Sequence, residues 1–270
     1  MKWIITIIIL MLLSLNATAT ISVPPIGRFS GFESGKILST LNGGIWKSCG
    51  TIFHRFICGH IKSQTTIVRS GTFAANITVH PGDIASGNGT DATERAELDS
   101  GKYATMGLDL FYGWSLQLPF NFEQQDKRLV LAQWKQAGTS TGGLSPPLSM
   151  RYRSGNWTIV QRLDDYERNG TQTEFQLPHL PLRSWNDLVF HVRFSTKKDG
   201  IVGMWVNGTK VVDYTGQTAL TNGTDVFYNK LGLYRDRSPT SNVWYALVDN
   251  YEVGSSFANV DPATFSERHP

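Results

Sequence analysis

Apolar and polar side chains alternate with a period of two in short runs along most of this chain, the pattern of strands half-buried in a sheet. The runs are Phe73 to His80, Tyr112 to Leu118, Leu129 to Lys135, Leu148 to Arg153, Leu188 to Phe194, Gly203 to Val206 and Val243 to Tyr251, punctuated by Gly, Pro, Asn and Asp. Asn207-Gly208, between Met204-Trp205-Val206 and Lys210-Val211-Val212, predicts a tight hairpin turn. No stretch keeps an apolar stripe at helical spacing. The 270 residues contain no linker, low-complexity tract or repeat, so many short antiparallel strands in one domain predict an all-β sandwich or barrel.

Three runs carry unusual chemistry on one face. In Tyr228-Asn229-Lys230-Leu231-Gly232-Leu233-Tyr234-Arg235, alternation puts Tyr228, Lys230 and Tyr234 on one side, with Gly232 leaving a gap, and sends Leu231 and Leu233 to the core. In Leu129 to Lys135, Val130, Ala132 and Trp134 share the apolar face, and Gln133 and Lys135 lie opposite. In Glu94 to Asp99, Arg95, Glu97 and Asp99 share one face. Phenol, amide, ammonium and guanidinium groups on three strands predict a polar groove for an anionic, ring-shaped ligand. Ordinary solvent faces of half-buried strands are the competing reading for any one of them.

Arg-Ala-Glu-Leu, Leu-Ala-Gln-Trp-Lys and Tyr-x-Lys-x-Gly-x-Tyr, taken in this order, resemble the jelly-roll polysaccharide lyases. The similarity is to the heparin-lyase-I-like and glucuronan lyase group, and the last motif is shared with jelly-roll alginate lyases. Pro146-Pro147-Leu148-Ser149-Met150-Arg151, Phe190 to Ser195 and Trp205-Val206-Asn207-Gly208 extend the resemblance over residues 65 to 254. It implies a single-domain, two-sheet antiparallel jelly roll of the concanavalin-like kind, spanning residues 65–270, with residues 20–64 leading into it.

The implied chemistry is β-elimination on a 1,4-linked polyuronate, glucuronan first and alginate second. The C5 carboxylate must be neutralised, a base must remove the C5 proton, and an acid must protonate the departing O4. Gln133 and Arg95 are the neutralising candidates, because an amide and a guanidinium both donate to carboxylate oxygens. Arg151 and Arg193 are reserves on outward faces. Tyr234 is the candidate for proton transfer, with Lys230, Lys135 and Arg95 supplying the positive field that a phenolate needs. Tyr228, Lys230, Arg151, Glu97, His191 and Arg193 are expected to bind substrate, His191 chiefly as hydrogen-bonding support. Relatives of this kind often carry His two residues after the glutamine. This chain has Lys135, which leaves open a base, a carboxylate binder or a loss of activity. Elimination needs no cofactor. Glu33 and Asp249 resemble calcium ligands that tie together the ends of jelly rolls, the alternative being two unrelated surface acids. His80, His179 and His269 sit at strand ends, in loops or in the tail, where exposure is expected. Trp114 is expected in the core, whereas Trp157 and Trp185, near turns, either pack in the core or at edges or stack on sugar rings.

Composition adds a location. Lys2, the apolar run Trp3 to Leu15 and Ala17-Thr18-Ala19 read as a secretory signal over residues 1–19, too short to span a membrane. Six sequons follow, at Asn76, Asn88, Asn156, Asn169, Asn207 and Asn222, where chance would give roughly two, so a secreted glycoprotein is expected. In that setting Cys49 and Cys58 predict a disulfide. His54 and His60 interleave with them, but the spacing matches no common zinc module. The net charge of +3 is too small to imply nucleic acid, yet suits an anionic polysaccharide if concentrated in one cleft. The expected molecule is an extracellular monomer without a membrane anchor. The two other readings are a lectin-like binding jelly roll, which would not need Gln133 and Tyr234 together, and a retaining glycoside hydrolase. The hydrolase requires two carboxylates about 5 to 5.5 Å apart, and alternation turns Glu94 away from Glu97 and Asp99.

Overall fold

The computed structural model describes residues 28–35, 37, 48–49, 60–84, 93–101, 104–119, 127–137, 145–163, 172–237 and 242–270. The signal segment, Cys58 and hence the expected Cys49–Cys58 bridge, and the sequons at Asn88 and Asn169 lie outside the described residues. Sixteen strands are described. They are β1 (Arg28–Ser30), β2 (Ser48–Cys49), β3 (Ile61–Gln64), β4 (Ala74–Val79), β5 (Thr93–Asp99), β6 (Ala104–Thr105), β7 (Asp109–Gln117) and β8 (Leu129–Gln136). After these come β9 (Leu148–Arg153), β10 (Asn156–Arg162), β11 (Gln172–Gln176), β12 (Asn186–Arg193), β13 (Gly200–Val206), β14 (Thr209–Gly216), β15 (Val226–Asp236) and β16 (Trp244–Gly254).

They form two eight-stranded antiparallel sheets packed face to face. One runs β14-β13-β12-β7-β16-β4-β3, with β1 on β16; the other runs β11-β10-β9-β8-β15-β5-β2, with β6 on β15. The all-β jelly roll expected from the sequence is therefore the fold observed. Strands β1 to β3, which precede residue 65, already pair into both sheets. The hairpin at Asn207-Gly208 has both residues at positive φ, +48° and +78°, the pairing that a primed turn requires.

Aromatic side chains fill the space between the sheets. Trp134, on β8, meets Tyr112 at 5.3 Å, Phe190 at 4.9 Å and Trp114 at 6.3 Å between ring centroids, all from the facing sheet. Trp114 stacks in turn on Phe190, and Tyr251 reaches across to donate its hydroxyl to Asn229 Oδ1 at 3.0 Å. Trp157 is buried in the core against Tyr152, whereas Trp185 is half-buried with its indole N–H on the Val68 carbonyl. After β16, two four-residue helices, α1 (Phe257–Val260) and α2 (Phe265–Arg268), fold back on the outside of the first sheet. They are too short to leave a periodic signal. Gly113 makes room for α1, since a Cβ there would meet the Val260 carbonyl oxygen at 1.8 Å.

A buried ion pair sets the register of β5 against β15. Arg235 and Glu94 are cross-strand partners, each 1% exposed, with Arg235 Nε donating to Glu94 Oε2 at 2.7 Å. Glu94 Oε1 accepts the Gly82 N–H at 2.7 Å, and Arg235 Nη1 donates to the Asn242 carbonyl. Removing one partner strands the other charge away from water. Glu94→Ala should lower the unfolding free energy in urea by about 3–5 kcal/mol, whereas replacing both residues with apolar ones, Glu94→Leu with Arg235→Met, should cost much less. Equal losses in the two variants would show that the charge pair is not what is being lost.

Candidate active-site groove

The outer face of the second sheet carries a groove of about 430 Å³ lined by Arg95, Arg128, Val130, Gln133, Lys135, Ser145, Pro146, Arg151, Arg162, Tyr228, Lys230 and Tyr234. Seven of the residues singled out in the sequence meet here: Arg95 from β5, Gln133 and Lys135 from β8, Arg151 from β9, and Tyr228, Lys230 and Tyr234 from β15. Pairing explains the convergence. Tyr228 faces Lys135, Lys230 faces Gln133, and Tyr234 faces Arg95 across the strand gaps.

Simple alternation breaks at one place. Between Leu231 and Tyr234 of β15 the pairing with β8 shifts, so Gly232 and Leu233 together oppose Leu131. Gly232 does not leave an open gap. Its φ is +150°, and a Cβ would meet the Ala96 carbonyl oxygen at 2.3 Å and Glu97 Cα at 2.9 Å, so only glycine lets β15 lie this close to β5. On β8 the register against β9 also shifts between Val130 and Ala132. Val130, expected in the core, consequently lines the groove, while Leu131 joins the core with Ala132 and Trp134. This places Val130 opposite Tyr234, so the tyrosine stands over a small apolar residue.

Charge is distributed unevenly around the two tyrosines. Two guanidinium groups lie over the Tyr234 ring, Arg95 at 4.4 Å and Arg128 at 5.3 Å from its centroid. Arg128 is held in place by the Asp236 carboxylate, with Nε donating to its two oxygens at 3.1 and 3.2 Å. Tyr228 has the opposite surroundings. Burial, then the charges of Asp99 and Glu97, push its phenol up to about 12, so it stays a neutral donor. Lys230 approaches Asp99 at 3.7 Å and lies 5.9 Å from the Tyr228 ring.

Gln133 is 4% exposed, and its Nε2 donates to Glu97 Oε1 at 2.5 Å. An amide nitrogen has two hydrogens; Glu97 takes one, which fixes the plane of the other. Glu97, expected to touch substrate, is thus buried at 3% exposure under Gln133 and is not part of the groove lining. Arg151 donates to Ser149 Oγ at 2.9 Å and is lowered to about 10, by burial first and then by the charges of Arg128 and Arg162. Three guanidinium groups, Arg128, Arg151 and Arg162, thus share this end of the groove. Arg128 and Arg162 were not singled out in the sequence. Arg128 precedes the bulged strand, and Arg162 ends β10, where Val160 interrupts the polar face and blurs the alternation of Trp157 and Ile159 with Thr158. A second hollow of about 560 Å³ continues from Arg128 and Arg151 past Arg153, Asn156 and Glu174.

His191 and Arg193 are not in the groove. Both lie on β12, in the other sheet, where they bind Asp109: His191 Nε2 to Oδ1 at 2.8 Å and Arg193 Nε to Oδ2 at 3.0 Å. His191 also stacks on Phe111 at 4.2 Å. They were misplaced because alternation reports which face a side chain takes and says nothing about which sheet its strand joins.

Glu33 and Asp249 lie at the 69–73 segment. Glu33 accepts the Thr72 and Phe73 N–H groups at 2.8 and 3.3 Å, and Asp249 those of Arg69, Ser70 and Asn250 at 2.9, 3.4 and 2.8 Å. Asp249 is pushed up to about 7, mainly by burial, with the charge of Glu33 adding to the rise. Two hard carboxylates, one of them buried and resisting ionisation, fit a divalent cation such as calcium.

The sequence model of the polysaccharide lyases matches residues 26–252. A sequence search of curated proteins gave no significant match. Among solved structures, the endo-β-1,4-glucuronan lyase of the fungus Trichoderma reesei superposes with a TM-score of 0.66 at 19% identity, covering 88% of this chain and 98% of that one. Alginate lyase A1-II', of polysaccharide lyase family 7, gives 0.53 at 12% identity over 72% of this chain and 82% of its own. The cellulose-induced protein Cip1 gives 0.54 at 14% identity over 86% and 97%. At these identities the structures show a shared fold, and the match to the family over most of its length shows that this chain belongs to the polysaccharide lyases.

Proposed function

We propose that the chain cleaves a 1,4-linked polyuronate, glucuronan in preference to alginate, by β-elimination in the groove of the second sheet. The observation that carries this reading is Tyr234 with the Arg95 and Arg128 guanidinium groups over its ring, beside an amide, Gln133, aimed by a buried carboxylate. Gln133 and Arg95 receive the C5 carboxylate and stabilise the charge that develops when the C5 proton leaves. Tyr234 takes that proton. It does so as a phenolate, whose charge Arg95 and Arg128 offset before the transfer; the neutral phenol so formed then protonates O4 of the departing sugar and returns to the phenolate. This economy holds for glucuronate and mannuronate, in which the C5 proton and O4 lie on one face of the ring. Tyr228 and Lys230 bind neighbouring sugars, with Lys135 and Arg151 as carboxylate sites. The glucuronan lyase likeness favours the substrate order. The groove itself, whose six cationic side chains are spread along it, suits a polyuronate of either kind, with carboxylates spaced along the polymer.

In this reading the protein is a secreted monomeric glycoprotein. Asn156, Asn207 and Asn222 are exposed and Asn76 is half-buried, and among the described residues no helix is long and apolar enough to cross a membrane. Glu33 and Asp249 hold a structural calcium that clamps the 69–73 segment and takes no part in the elimination.

Incubation with glucuronan, alginate and heparin should produce the ultraviolet absorbance of an unsaturated sugar end with glucuronan most strongly. Binding to all three without that chromophore would instead support the lectin-like reading. On a verified substrate, Tyr234→Phe should fold and bind almost normally and lose at least ~10²-fold in turnover. Gln133→Ala should lose a similar factor. Lys135→Ala separates its two roles, since a carboxylate binder loses affinity and a base loses turnover. Wild-type turnover in Tyr234→Phe would end the tyrosine mechanism.

Calcium should raise the melting temperature of chelator-treated protein and leave that of Asp249→Asn unchanged. An equal rise in both would place the ion elsewhere.

A further inference from the structure

His60, at the entry to β3, and His80 and Asp83, in the turn after β4, bring three metal-ligating atoms together, none of them part of the groove lining. His60 Nδ1 lies 2.8 Å from Asp83 Oδ2 and 3.0 Å from His80 Nδ1, and His80 Nδ1 lies 3.7 Å from the same Asp83 oxygen. As a hydrogen-bond network this is poor. A neutral imidazole has one N–H, so Nδ1 of His60 cannot serve both neighbours well, and the two rings turn the same kind of atom toward each other. As a metal site it is well proportioned. A tetrahedral zinc ion with bonds of about 2.0–2.1 Å sets its ligand atoms roughly 3.3 Å apart, and the three observed edges bracket that value. The ligand set, two imidazoles and one carboxylate, belongs to zinc and its d-block neighbours rather than to calcium.

The surroundings support the assignment. Asp83 Oδ2 also accepts the His80 backbone N–H at 2.7 Å, the kind of outer contact that fixes a ligating carboxylate. Side-chain exposures of 29% for His60, 40% for His80 and 11% for Asp83 leave a path for an ion and a position for water. The turn is also wired to the groove through its backbone. The Asp83 carbonyl accepts the Arg95 N–H at 2.9 Å, and Gly82 N–H holds Glu94.

We propose that His60, His80 and Asp83 form a structural site for a divalent d-block cation of the zinc class, which braces the turn that positions the start of β5. The site is distinct from the Glu33 and Asp249 pair in both residues and donor chemistry.

The test uses the full-length protein, freed of metal by chelation and titrated with Co²⁺ and then Zn²⁺. One equivalent of Co²⁺ should bind with the intense visible bands of tetrahedral coordination, without a thiolate charge-transfer band, and zinc should displace it. Zinc should also raise the melting temperature by several degrees. His80→Gln and Asp83→Asn, each checked for native circular dichroism, should weaken cobalt binding at least tenfold and abolish that rise. The calcium response should persist in both variants. Absence of stoichiometric cobalt binding, a thiolate band, or binding unchanged in these variants would overturn the proposal.

Discussion

The antiparallel register of β5 against β15 is the constraint on which the rest of the groove depends. One cross-strand pair, Glu94 with Arg235, points inward and is sealed from water. The next, Arg95 with Tyr234, points outward and carries the proposed chemistry. A slip of one residue would exchange the two faces, taking the ion pair into solvent and burying the tyrosine. The buried charges cost desolvation free energy that an apolar pair would not. In return they admit one register, because no other alignment gives Glu94 the Arg235 guanidinium and the Gly82 N–H together.

The bulges act on that fixed register to aim side chains. Gly232 allows β15 to crowd β5, and the extra residue that follows brings Val130 up beneath Tyr234 in place of a core contact. Immediately below the groove, Trp134 anchors β8 in the aromatic cluster and so fixes the direction in which its sequence neighbours Gln133 and Lys135 emerge. Tyr228 and Tyr234 show how strongly placement governs chemistry. They lie on one strand and face one groove, yet burial and then the charges of Asp99 and Glu97 keep the first neutral, whereas two guanidinium groups lie over the second.

Much of this was legible in the sequence because a strand's period is two and does not depend on tertiary context. Alternation alone grouped Tyr228, Lys230 and Tyr234, and separately Gln133 and Lys135. It failed where the period failed, at Val130, since a bulge is an exception that leaves no mark in hydrophobicity. It failed too for His191 and Arg193, because sheet membership is decided by long-range pairing. Glu97 has the predicted face but not the predicted depth, because the Gln133 amide on the neighbouring part of the sheet bonds its carboxylate and both are buried. His80 was read as a solvent-exposed strand end, and it is half-exposed, but its partners His60 and Asp83 could be found only once β3 was paired with β4.

Where the charge lies says more about the ligand than how much there is. On the outer face and flank of the first sheet, cations meet acids directly: Arg69 with Asp187 at 2.9 Å, Arg193 and His191 with Asp109, Lys210 with Asp213 at 2.6 Å, and Arg268 with Glu252 at 2.8 Å. In the groove, Arg151 and Arg162 hydrogen-bond neutral groups instead, Ser149 for the first and Ser145 and Gln172 for the second. Neutral partners orient a guanidinium without cancelling its field. Among the described residues, six cationic side chains are thus gathered in one groove, two of them, Arg128 and Lys230, beside an acid. Concentrating positive charge along a line of tyrosine and arginine side chains selects for a polymer with regularly spaced carboxylates, and it keeps Tyr234 in the part of the surface where an electron-rich transition state is best tolerated.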